Sequence, residues 1–164
     1  MYRLNRIELK SHDGGFFDEL YELHADIELQ KILLGSYRVE DIDLPSWISR
    51  RKKDPYYREI IFDGRKFIGY VQIIDHHVNN KTGYLGICLR ENYRNQGFGM
   101  KTFSLLIEDV KQKLGLRKIK IKVRVDNPAV CFYERLGFLR IGKMRHEYFD
   151  GERYWDVYIY EKFI

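Results

Sequence analysis

The apolar positions of this chain fall into short blocks whose period switches repeatedly between two and about three and a half. Leu4 to Leu9 has the pattern of a first strand. Phe16, Leu20, Leu23 and Ile27 then mark one face of a helix, with Asp18, Glu22 and Asp26 at i, i+4 spacing on another. A second short helix is predicted from Asp43 or Leu44, carrying Trp47 and Ile48. Tyr56–Phe62 and Arg65–Ile74 flank Asp63-Gly64, a favoured turn pair, and so predict a β-hairpin. A polar connection from His76 to Gly83 leads into a strand at Tyr84–Leu89, and Phe103, Leu106, Ile107 and Val110 return to helical spacing. Lys118–Val125 alternates basic and apolar residues, the pattern of a strand with one buried face. Asn127 suits an N-cap, Pro128 the first helical position and Gly137 the left-handed stop of a short helix. Phe138–Phe149 and Glu152–Tyr160, around Asp150-Gly151, predict a second hairpin.

Between the strand at Tyr84–Leu89 and the helix through Phe103 lies Arg94-Asn95-Gln96-Gly97-Phe98-Gly99. Glycines at a strand-to-helix turn sit where the first backbone N–H groups of the helix have no intrahelical partner and point outward with the positive end of its dipole. A diphosphate is a natural occupant of such a turn, since no Cβ blocks its approach. Two common glycine-loop motifs are excluded by the letters. A dinucleotide fingerprint needs a third glycine where Thr102 stands, and the Gly-Lys-Ser/Thr ending of a P-loop is absent.

Composition narrows the setting. At 164 residues the chain suits one domain spanning 1–164, and 45% hydrophobic with 32% charged residues is the balance of a folding chain. No apolar run is long enough to cross a bilayer, and Met1–Arg6 lacks the apolar segment of a signal peptide, so a cytoplasmic protein is expected. Cys88 and Cys131 are isolated from each other and from any metal-binding spacing, and both read as small core-facing residues; no metal is expected. The net charge of +5 is modest and interleaved. It fits a polyanionic small ligand as well as it fits nucleic acid, for which no motif is present. Arg50-Arg51-Lys52-Lys53 reads as the solvated end of a short helix.

The Arg-x-x-Gly-x-Gly turn, followed in order by the basic strand, the Asn127-Pro128 capped helix, Gly137-Phe138 and a new strand, resembles the GNAT family of N-acetyltransferases over roughly residues 60 to 164. That resemblance implies an α/β fold: a strongly twisted mixed sheet in the order β-α-α-β-β-β-α-β-α-β-β, flanked by helices on both faces. It also implies acetyl-CoA as co-substrate and transfer of acetyl to a primary amine by direct attack in a ternary complex. Backbone amides of Gln96, Gly97, Phe98, Gly99 and Met100 would take the pyrophosphate within the Asn95-containing turn, and Arg94 would add charge-assisted hydrogen bonds. Backbone groups of Ile87 and Leu89 would hold the pantetheine arm as an added strand. Tyr133, six residues after Asn127, matches the family's proton donor to the departing thiolate, and Asn127 would add a cofactor contact.

In one respect the chain departs from the family's pattern. Many relatives place a glutamate on the strand before the glycine turn, but Thr82–Arg90 has none, and Tyr84 occupies the likeliest equivalent place. Asp75, His76 and His77 are the neighbouring candidates for a base, and a water chain is the other route. Eight carboxylates stand between Asp18 and Asp43 against Lys31 and Arg38. Solvated helix faces account for most of them; the resemblance implies that this region forms one wall of the acceptor site, and an acidic wall there makes a cationic acceptor one expectation. The segment Met144–Glu152 resembles the ribosomal-protein N-terminal and spermidine acetyltransferase subgroup, so protein N-termini and polyamines head the acceptors, with amino sugars behind. A catalytically silent acyl-CoA-binding regulator is the alternative. Thirteen tyrosines and ten phenylalanines leave room for a homodimer patch.

Overall fold

The computed structural model describes residues 7–11, 16–35, 43–52, 57–64 and 66–164. Strands β1 (Ile7–Ser11), β2 (Tyr57–Asp63), β3 (Lys66–His77), β4 (Thr82–Leu89), β5 (Lys118–Arg124), β6 (Leu139–Phe149) and β7 (Tyr154–Phe163) form one sheet in the order β1-β2-β3-β4-β5-β7-β6. β4 and β5 run parallel, and the other neighbouring pairs are antiparallel. Helices α1 (Phe17–Ala25), α2 (Ile27–Ile32), α3 (Leu44–Lys52), α4 (Phe98–Leu114) and α5 (Ala129–Arg135) cover its faces.

Strand alternation sorts the core into two layers. Ile61, Val71, Ile73, Leu85, Ile119 and Ile121 pack under Phe103, Leu106 and Val110 of α4 and Tyr133 of α5. On the opposite face Ile60, Phe62, Tyr70 and Cys88 pack under Leu20 and Leu23 of α1 and Trp47 of α3. The expected mixed sheet with helices on both sides is what forms.

Several local expectations change. The first helix is not continuous: Asp26 adopts extended backbone (φ −72°, ψ 98°), and its carboxylate accepts the Leu29 N–H at 3.0 Å, starting α2. Ile27 therefore belongs to the second helix and is largely exposed. β3 runs on to His77 through an irregularity at Asp75 (φ 49°), so the polar connection shrinks to residues 78–81. The second hairpin closes on Asp150, whose N–H donates to Arg153 O and whose Oδ1 accepts the Glu152 and Arg153 N–H groups; β7 then continues to Phe163. Cys131 is exposed on α5, which corrects its core-facing reading, whereas Cys88 is buried. The start of the first strand at Leu4, the residues Arg38, Glu40 and Asp41 of the acidic segment, and Lys53, Tyr56 and Arg65 lie outside the described residues.

The feature that positions a site is a divergence. β4 and β5 share register only at Thr82–Lys118, Gly83–Ile119 and Tyr84–Lys120. Beyond that point β4 continues to Leu89 and β5 to Arg124 without pairing, and α4 starts where β4 ends.

Candidate functional site

The wedge between the diverging strands has a backbone lining that follows from strand geometry. The Arg90 N–H bonds to Ile68 O of β3 at 2.8 Å, and hydrogen-bonding direction alternates along a strand. The even-numbered residues of β4 therefore face β3, and Leu85, Ile87 and Leu89 present their N–H and C=O groups to the open side. The expected backbone partners Ile87 and Leu89 thus stand on an unpaired edge. Arg94 Nε donates to Leu89 O at 2.9 Å, fixing the guanidinium at the mouth of the wedge.

Next comes the glycine turn. Asn95 (φ 57°) and Gly97 (φ 84°) both take the left-handed conformation that swings the chain into α4. Gly97 occupies the N-cap position and offers no side chain to cap the helix. The first backbone bond of the helix is Lys101 N–H to Gly97 O at 3.3 Å. Among the described residues, the amides of Gln96, Gly97, Phe98, Gly99 and Met100 have no protein acceptor. Most helix starts place Ser, Thr, Asn or Asp here to satisfy such donors. This one leaves five in succession for an anion or water, and the donors fit a diphosphate.

Gly99 has a packing role besides the one its position in the turn predicts. A Cβ built there would lie 3.1 Å from the Phe132 ring and 3.9 Å from Leu89 Cδ1. Its smallness lets α5 pack against the first turn of α4. This contact also brings the helix of Tyr133 to the end of β4.

Tyr133 is buried, its ring flanked by Phe132 and Phe138 at centroid distances of 5.5 and 5.9 Å. Burial, and after it the thiol of Cys88 on β4, holds its phenol protonated far above the usual range. Cys88 itself is pushed up to about 12 by burial, so it is an inert thiol. Asn127 caps α5 through Oδ1, which accepts the Ala129 N–H at 2.9 Å, and Pro128 follows with helical backbone angles. Its Nδ2 donates to Ile32 O of α2 at 3.2 Å, so both ends of the amide are engaged inside the protein.

Four of the six described carboxylates between Asp18 and Asp43 are committed. Glu22 bridges Arg90 at 3.0 Å, Glu28 bridges Lys31 at 3.0 Å, Asp26 caps α2, and Asp43 caps α3 by accepting from Ser46 N at 2.9 Å and Ser46 Oγ at 2.8 Å. The hydrogen bonds from Ser46 hold the Asp43 carboxyl below its ordinary range. Meanwhile β5 turns a ladder of cations to the same face of the sheet. Lys118 pairs with Glu161, and Lys120 stacks over Tyr84 at 4.2 Å from the ring centroid; Lys122 reaches Glu147 at 3.6 Å.

Asp75, His76 and His77 stand far from the glycine turn and from Tyr133 along the strand. His77 pairs with Thr82, at the far end of β4 from Leu89. Seven residues of strand separate the two ends, about 23 Å at roughly 3.3 Å per residue. The antiparallel β3–β4 turn puts neighbours in sequence at the wrong end of the strand.

The sequence model of the Acetyltransferase (GNAT) family matches residues 17–138, well over half of the chain, from α1 through β4, the glycine turn and α5. The chain belongs to the GNAT acetyltransferase family. Among curated relatives, this GNAT protein is 33% identical over 81 residues to an N-alpha-acetyltransferase of Sulfurisphaera tokodaii, covering 48% of this chain and 47% of that one. It is 30% identical over 102 residues to the spermidine N(1)-acetyltransferase of Vibrio cholerae (61% and 59%) and 32% identical over 106 residues to the ribosomal-protein-serine acetyltransferase of Escherichia coli (64% and 59%). The matched segment thus spans about half to three-fifths of these relatives. The fold of the whole chain is shared with the Vibrio cholerae spermidine N-acetyltransferase solved with CoA and spermine: TM-score 0.87 at 21% identity, covering 96% of this chain and 95% of that one. No described helix of this GNAT protein is long and apolar enough to cross a membrane, and among the described residues no cluster of three or more His, Cys, Asp or Glu could hold a metal ion.

Arg124 and Tyr148, which bond to backbone carbonyls of α2 and the turn after it, lie in segments that carry the family resemblance, but no sequence signal singles out either side chain. Arg124 looks like the last rung of the basic strand, and only the fold shows it buried.

Proposed function

We propose that this protein is an acetyl-CoA-dependent N-acetyltransferase acting on a primary amine by direct attack in a ternary complex. The observation that carries this reading is the uncapped start of α4, where five successive amides lack a protein acceptor at the end of β4 and α5, the helix of Tyr133, packs against the first turn.

Acetyl-CoA supplies an activated acyl carbonyl and a thiolate leaving group. The amides of Gln96 to Met100 and the Arg94 guanidinium hold the diphosphate, and the turn at Asn95 shapes the cradle. The free edge of β4 at Ile87 and Leu89 aligns the pantetheine arm by strand addition, as in other main-chain recognition. The Leu89 N–H donates to the oxygen of the attacked carbonyl. Tyr133 keeps a proton on its phenol oxygen and delivers it to the departing sulfur. No described carboxylate or imidazole lies on β4, so the amine loses its proton to water. That favours an α-amino group, with a reference pKa near 8, over an alkylamine near 10.4.

The acceptor is therefore a protein or peptide N-terminus ahead of a polyamine or amino sugar, because four of the carboxylates expected to attract a polycation already serve as caps and bridges. A single domain acting in the cytoplasm, with no nucleic-acid or membrane partner and with a homodimer as the possible assembly, completes the proposal. Incubation with acetyl-CoA and a panel of amines at several pH values, with release of free thiol as the readout, tests it. Turnover of an N-terminal peptide, rising through pH 8, is the expected result. The missing strand carboxylate supports a second reading, a silent acyl-CoA-binding regulator, which predicts tight binding of acetyl-CoA and no thiol release with any amine.

A further inference from the structure

The last carbonyls of an α-helix have no partner within it. At the end of α2 they are claimed by side chains from three separate elements. Arg124, at the end of β5, donates from Nη1 to Lys31 O at 3.2 Å. Asn127, between β5 and α5, donates from Nδ2 to Ile32 O at 3.2 Å. Tyr148 of β6 donates to Gly35 O at 3.0 Å, just past the helix, and lies 3.5 Å from Gln30 O. Each donor is itself located. Arg124 is buried, holds Asp126 with a two-pronged bond at 2.6 and 2.7 Å, and lies 4.0 Å from the centroid of the Trp155 ring.

Asn127 differs from the other two because its opposite amide end caps α5. One planar group, with its carbonyl on the first turn of α5 and its NH2 on the last turn of α2, joins the two helices. Tyr133 follows Ala129 by four residues, about one helical turn. A displacement of α2 therefore reaches the phenol through a short covalent and hydrogen-bonded path. On the acetyltransferase reading, α2 walls the acceptor side and α5 carries the proton donor.

We propose that Asn127 is a positioning residue that couples the acceptor wall to the helix of Tyr133, and that Arg124 and Tyr148 hold the wall end of that coupling. The occupant of the acceptor side, by setting α2, sets the phenol. A bound amine thereby aligns its own proton donor.

Asn127→Asp isolates the claim. Asp caps a helix about as well as Asn, so α5 keeps its start, but an oxygen now faces the Ile32 carbonyl where a donor stood. The expected result is a fall in kcat of about tenfold with a several-fold rise in the amine KM, while acetyl-CoA affinity by calorimetry stays within about twofold of wild type. Tyr148→Phe removes a donor from the same helix end without touching α5, and raises the amine KM with a smaller fall in kcat than Asn127→Asp gives, because Asn127 still joins the two helices. Wild-type kcat and amine KM in Asn127→Asp would overturn the proposal. So would weakened acetyl-CoA binding with unchanged amine kinetics, which would make Asn127 a cofactor contact instead. If the wild-type protein turns over no amine, the acetyltransferase reading fails separately. Hydrogen exchange then decides the coupling: faster exchange in both α2 and α5 of Asn127→Asp upholds it, and faster exchange in α2 alone sinks it.

Discussion

Two helix ends in this protein are treated in opposite ways. The start of α4 has a glycine where a capping side chain belongs, and five amides in succession without a protein acceptor. The end of α2, one of the shortest helices, has its carbonyls claimed from β5, from the loop before α5 and from β6. Capping at either end contributes about 1 kcal/mol, so stability alone gives no reason to over-satisfy one and abandon the other. On the proposed reading, the open end serves the diphosphate of acetyl-CoA and the closed end holds the wall that faces the acceptor.

Removing the proton donor is expected to have the largest effect. Tyr133→Phe keeps the packing among Phe132 and Phe138 and lowers kcat by about a hundredfold, the scale of a lost general acid, with acetyl-CoA affinity unchanged. Equal kcat would reduce Tyr133 to a core residue. The open helix end is tested by charge. Gly97→Asp tolerates the left-handed backbone and sets a carboxylate beside the cradle, weakening acetyl-CoA binding by about tenfold, or ~1.4 kcal/mol, against Gly97→Asn as the neutral control. If the two variants bind alike, the amides of α4 are not holding a diphosphate.

The closed end has its own signature, in pH. Hydrogen bonds from the Arg153 N–H, the Trp155 indole and the Glu152 N–H hold the Asp150 carboxyl well below the usual range, and Arg124 does the same for Asp126. A depressed folded value stabilises the protein fully above the unfolded carboxyl value near 3.9, and that stability is lost as pH falls through the folded value. The melting temperature should therefore hold down to about pH 4 and drop below it. Asp150→Asn should flatten that drop; an unchanged acid limb would remove Asp150 from the account.

The smallest effect concerns the thiols. Native protein should label rapidly at Cys131 alone, and Cys131→Ser should change stability by less than about 0.5 kcal/mol, as surface substitutions do. Rapid labelling of Cys88 would mean that the end of β4 opens far more than its packing implies.

What could be read from the letters follows the range of the forces involved. The glycine turn, the capped α5 and both hairpins depend on neighbours within a few residues, and the chain spells them out. Asn127 was legible as a cap for that reason. Its second bond, to a residue 95 positions away, was not. Asp26 carries the same signature as Asn127, but the apolar spacing of Leu20, Leu23 and Ile27 runs through it and hides the break. Cys131 sits between apolar neighbours, and only the rotation of α5 shows which way it points. The acidic segment needs the fold for a further reason. A count of charges says nothing of which carboxylates are already spoken for, and Glu22 finds Arg90 only once α1 lies across the sheet.

The parting of β4 from β5 has one more consequence. Because pairing stops at Tyr84 and Lys120, the sheet keeps a raw border in its middle instead of only at its rims. On the proposed reading, a guest laid along that border is recognised by the course of the main chain, which asks of Leu85, Ile87 and Leu89 only that they remain apolar and extended. The same border makes the empty protein the less complete one, and loading it should knit the two halves of the sheet into a sturdier whole.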